Sequence, residues 1–139
     1  MKYSMITILA AGFAVSACGG GSSAGGLDAE QNYLFALTPG AEVPAPKPTT
    51  ASGTVSIVVF PTSIDYQISA SSITGITMAH IHNGAPGVAG SVVVTLFSPA
   101  TPTVAINGVF VSGTITQGTL PAGVTLESVK TLLLSGNAT

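Results

Sequence analysis

Hydrophobic and polar residues alternate in short blocks along most of the chain, and each block is closed by Gly, Pro or Ser. Ile64–Ser71 has the cleanest alternation, with Ile64, Tyr66, Ile68 and Ala70 at one parity and Asp65, Gln67, Ser69 and Ser71 at the other. A period of two predicts a half-buried antiparallel strand. Upstream, Thr54–Phe60 (TVSIVVF) is strongly β-prone and places Val55, Ile57 and Val59 on one face. Pro61-Thr62 between the two runs predicts a hairpin. Further strands are expected at Tyr33–Leu37, Ile76–His82, Ser91–Phe97 and Val109–Thr116, with Gly113 as a possible bulge. The prolines at 44, 46 and 48 predict an extended, helix-free connection. One block changes period: Leu126, Val129 and Leu133 are spaced i, i+3, i+7. This predicts a short amphipathic helix capped by Thr125, with Glu127 suited to its N-terminal dipole and Gly136 able to stop it. Several short strands and one helix predict an all-β sandwich or barrel.

The first residues follow a different logic. Lys2 precedes an apolar run, Met5–Val15, and then Val15-Ser16-Ala17-Cys18. Small residues before a cysteine at the end of a short apolar run resemble the bacterial lipobox, in which the cysteine becomes the lipidated N-terminus. The expected division is a lipoprotein signal peptide at 1–17, a lipidated Cys18 with a Gly/Ser-rich tether through residue 30, and a globular domain at 31–139. Gly19–Gly26 (GGGSSAGG) is flexible by composition. Cys18 is the single cysteine, so the mature domain is expected to hold no disulfide and no Cys-ligated metal. The expected location is the bacterial cell envelope, outside the cytoplasm. Gly19 in place of Asp favours the outer membrane or cell surface by the usual sorting rule.

Composition narrows the functional classes. The 139 residues carry three Lys, no Arg and five acids, for a formal net charge of −2. No basic patch is available to neutralise phosphates, which argues against nucleic-acid partners. The chain has only two histidines, in Ala79-His80-Ile81-His82-Asn83-Gly84-Ala85-Pro86-Gly87. On a strand, this spacing puts both imidazoles on one face, about 6–7 Å apart at Cα. That geometry suits zinc or copper. Asp65, Glu42 and Glu127 are the carboxylates available to complete a site. The alternative is that a ring nitrogen bonds backbone groups and holds the Gly/Pro loop. Gly84, Gly87 and Gly90 read as turn residues rather than a phosphate loop, because a strand follows them and no Lys-Ser/Thr end is present. There is no G-x-S-x-G, and no catalytic residues are assigned.

Together, Leu37-Thr38-Pro39-Gly40-Ala41-Glu42-Val43-Pro44, Ser52-Gly53-Thr54-Val55 and Ala79-His80-Ile81-His82 with Ala85-Pro86-Gly87 and Gly90 resemble the CHRD domain family over about residues 33–137. The resemblance implies an immunoglobulin-like β-sandwich and an extracellular binding or structural role without established enzymatic activity or cofactor. The pattern usually continues past Leu133-Leu134-Ser135-Gly136-Asn137 with further strands and another histidine, whereas here Thr139 is the last residue. The resemblance therefore implies missing final strands and an unpaired sheet edge that a protein partner or a second copy would cover. The His-x-His strand is also similar to that of Cu/Zn superoxide dismutases, but those enzymes need more histidines than this chain has. The first reading is a lipid-anchored binding or structural module, not an enzyme. The alternatives are a Cu/Zn-binding protein or remnant metalloprotein using His80 and His82, and a non-functional truncated copy.

Overall fold

The computed structural model describes residues 4–7, 31–41 and 49–139. Cys18, the Gly19–Gly26 tether, Glu42 and the prolines at 44, 46 and 48 lie outside the described residues.

Two sheets face one another in an all-β sandwich. The first contains β2 (Gln31–Leu37), β3 (Ser52–Val59), β4 (Ile64–Ile73) and β7 (Ile106–Ile115), in the order β2-β3-β4-β7 and antiparallel throughout. The second contains β5 (Ile76–Asn83) paired antiparallel with β6 (Ser91–Phe97). On the other edge of β5 lies β1 (Ser4–Thr7), running parallel to it. A single α-helix among the described residues, α1 (Leu126–Leu134), follows the last strand.

The expected alternation of β4 is observed. Ile64, Ile68 and Ala70 are buried, and Tyr66 shares their face. Val55, Ile57 and Val59 meet them from β3. Ala79 and Ile81 of β5, with Val94 and Leu96 of β6, supply the opposing wall. The sheets are also joined by specific contacts. Tyr66 Oη donates to the carbonyl of Leu96 at 2.9 Å. Phe97 of β6 meets Phe110 of β7 edge-on, with ring centroids 5.3 Å apart, a favourable aromatic geometry.

The helix forms where the period changes. Thr125 Oγ1 accepts from the Ser128 amide at 3.1 Å, and Ser128 Oγ accepts from the Thr125 amide at 3.2 Å. This is a reciprocal cap. Gln117 Oε1 takes a further orphan amide, that of Leu126, at 2.9 Å. Leu126, Val129, Leu132 and Leu133 join the core. Gly136 has a positive φ of 72° just past the Ser135 cap, as expected for the residue that ends the helix.

Two details of β7 differ from expectation. The strand begins at Ile106, before the expected Val109. Gly113 is not a bulge: it pairs in register with Tyr66, and the β4–β7 irregularities fall at Ile68/Ser69 and Ala70/Ile73. Gly113 instead makes room for a ring, since a Cβ there would lie 2.7 Å from Tyr66 Oη.

Candidate functional site

Parity along β5 places the histidines. Ala79 and Ile81 point into the core, so Met78, His80 and His82 share the opposite parity. The register shifts against β6 leave Leu96 and Val93 without partners on that strand, whereas β5 is paired residue by residue. The parity of β5 is therefore unbroken through the motif. His80 and His82 are each only 7% exposed. Their ring centroids lie 5.7 Å apart, edge to face. The expected pairing of the two imidazoles on one face is observed.

Backbone carbonyls orient this pair. His82 Nδ1 lies 2.9 Å from the Gly90 carbonyl oxygen. A carbonyl can only accept, so Nδ1 carries a proton, and in the neutral ring Nε2 keeps its lone pair. That Nε2 is buried and has no hydrogen-bond partner, an arrangement that calls for a reason in a folded protein. Burial, and secondarily the neighbouring His82, lower the His80 pKa from its ordinary value of 6.5.

The loop after β5 is built for closeness. Gly87 adopts a φ of 79°, and a Cβ on Gly90 would collide with the backbone of Asn83. The Val88 amide closes a turn onto the Ala85 carbonyl at 2.9 Å. These glycines do turn chemistry, as the sequence suggested. The His82–Gly90 bond is the loop-holding contact that the sequence offered as the alternative to metal binding.

The edge of β5 opposite β6 takes two segments. At its C-terminal end, the His82 amide donates to the main-chain oxygen of Thr139, and the Thr139 amide donates back to the His82 carbonyl at 3.0 Å. The Gly84 amide donates to the Asn137 carbonyl at 2.9 Å, and Asn83 bridges Ala138 in antiparallel sense. At the other end, β1 pairs in parallel with Ile76, Met78, Ala79 and His80, with a register shift that skips Thr77. The two additions run in opposite directions along one strand.

The candidate carboxylates lie elsewhere. Asp65 is on the outer face of the four-stranded sheet, where Thr114 Oγ1 donates to it at 2.7 Å. It borders a shallow depression of about 400 Å³ lined by Ser56, Gln67, Ser112 and Thr114 among others. Glu127 is on α1, paired with Lys130 at 2.8 Å. Among the described residues, no three His, Cys, Asp or Glu side chains converge on one point. The contributions of Gly90, Asn137 and Thr139 were not anticipated. They act through backbone atoms that any residue carries, so residue identity gave no signal.

Sandwich topology, a His-x-His strand backed by a Gly/Pro loop, and a C-terminal helix together define an all-β extended-edge domain. The chain belongs to the CHRD domain family, which matches residues 33–138. No curated protein and no solved structure matches it.

Proposed function

We propose that this protein is a lipid-anchored module of the bacterial cell envelope that binds a protein partner through a sheet edge and carries out no catalysis. The anchor is Cys18, and residues 19–30 are the tether. The observation that carries the binding role is the β5 edge, which takes Ser4–Thr7 in one direction and Asn137–Thr139 in the other. An edge that satisfies its amides and carbonyls with whichever strand is at hand is suited to β-augmentation, in which main-chain bonds supply affinity. The backbone groups of His82 point outward to Thr139, and the two-residue repeat turns those of His80 and Met78 the same way. Lipoprotein processing would remove residues 1–17, β1 included, and bare this stretch.

Comparing the full chain with one starting at residue 18 tests the reading. In the shorter chain the amides of Met78 and His80 exchange faster, while those of β3 and β4 keep their protection. The shorter chain also associates as its concentration rises, until an added strand peptide covers the edge. Unchanged exchange at Met78 and His80, with a monomer at every concentration, would overturn it.

A second reading, metal binding by His80 and His82, is favoured by one observation: the buried, unpartnered Nε2 of His82. Zinc and copper are the candidates, and their binding is tested below.

A further inference from the structure

Three donor side chains share one parity of β5: the thioether of Met78 and the imidazoles of His80 and His82. Met78 is the only methionine beyond residue 5. Both histidines are more than nine-tenths buried, and the His82 lone pair at Nε2 is unpartnered. The His82–Gly90 bond fixes the tautomer that leaves this nitrogen free, as a backbone carbonyl commonly does for a metal-ligating histidine. The ring centroids, 5.7 Å apart, are close enough for one small ion to reach both imidazoles.

From this arrangement we infer that the His80/His82 site takes monovalent copper, with Met78 as its third ligand. The inference rests on the metal-binding reading and adds the identity of the ion. Three physical points separate Cu(I) from Zn(II). Zinc takes four ligands in a tetrahedron, and no third His, Cys, Asp or Glu joins the pair among the described residues. A d¹⁰ monocation is content with two or three donors. A thioether is a soft ligand that selects Cu(I) and does little for zinc. Charge matters as well. The Born cost of burying an ion grows with the square of its charge, so a monocation costs about a quarter as much as a dication in the same site. Among the described residues no side-chain carboxylate is placed to offset the larger charge, since Asp65 and Glu127 are bonded elsewhere.

The test uses the full chain carrying Cys18→Ser, so that the thiol holds no copper. Affinity for Cu(I) is measured by competition with bicinchoninate under anaerobic reduction, affinity for Zn(II) by calorimetry, and the bound copper by X-ray absorption. Met78→Leu keeps the volume and removes the sulfur. His82→Asn keeps a donor near Gly90 and removes the atom at Nε2. Thermal unfolding without metal checks that each variant folds. The expected result is Cu(I) bound by nitrogen and sulfur and held well above Zn(II). Met78→Leu then weakens Cu(I) by about tenfold or more, since a lost ligand should cost no less than a lost outer-shell partner, and leaves Zn(II) unchanged. If zinc binds in a His82-dependent way while copper does not, or if Met78→Leu alters neither copper affinity nor the sulfur signal, the copper assignment falls and the metal reading stands. If neither ion binds more tightly than to His80→Gln/His82→Asn, both fall.

Discussion

His80 has lost most of its contact with water and faces a second imidazole, and both effects disfavour its charged form. Its folded pKa is therefore below the unfolded one. Below about pH 6.5 the unfolded chain takes up a proton that the folded chain refuses. Stability from this residue is thus full above that pH and falls as pH drops through 6.5 toward the lower folded value. Among the described side chains the titratable group that faces it is His82; Asp65 lies on the other sheet and Glu127 on α1. In metal-free protein, the urea midpoint should decline between pH 7 and pH 5, and His80→Gln should flatten that decline. An equally steep decline in His80→Gln would assign it to another group. The histidine pair was visible in the sequence because two rare residues stand two apart in a β-prone run. Their partners were not, because Gly90 and Thr139 contribute only carbonyls and an amide. Gly113 shows the same limit from the other side. A lone glycine in a strand signals a bulge or a close approach, and only the position of the Tyr66 ring decides between them.

At the scale of elements, legibility follows burial. β4 and α1 were read nearly to the residue because each has one buried and one wet face, which writes a period into the sequence. β7 was read short because Ile106-Asn107-Gly108 carries a turn-like signal and Val109 is exposed, so no alternation marks the start of the strand. The helix has one contact that its pattern concealed. Lys130 is only 9% exposed. Its ammonium donates to the carbonyl of Pro61, in the turn between β3 and β4, and to Glu127. A charged group holding this turn carbonyl ties α1 to the four-stranded sheet. Lys130→Met keeps the stem packed and should cost about 1.5–3 kcal/mol in chemical denaturation, the range for a hydrogen bond to a charged group. Lys130→Ala should cost more, because the buried stem is lost as well. A Met variant as stable as the parent would mean that desolvation of the ammonium cancels its bonds.

For the whole molecule, the sandwich was legible, and the way its second sheet ends was not. The β5 edge meets residues from both ends of the chain, and hydrophobic patterning carries no information about which strand lies beside which. The proposed anchor at Cys18 would set what that edge can meet. A Gly/Ser segment of the composition of Gly19–Gly26 has an expected end-to-end distance of about 15 Å, so under the proposed anchoring the domain would stay within reach of the membrane surface. Acyl chains contribute about 0.8 kcal/mol per buried CH₂, so one chain holds marginally and two or more hold stably. In a bacterial host, the protein should therefore incorporate labelled palmitate and sediment with membranes in high salt, because a net charge of −2 leaves little electrostatic attachment to wash off. Cys18→Ser should abolish labelling and move the folded domain to the soluble fraction. Replacing Gly19–Gly26 with a tether half as long should leave labelling intact but reduce capture of an edge-binding strand peptide added from solution. Palmitate labelling that persists in Cys18→Ser would remove the anchor from the reading. Labelling that depends on Cys18, with peptide capture indifferent to tether length, would keep the anchor and show that the β5 edge meets its partner without help from the linker.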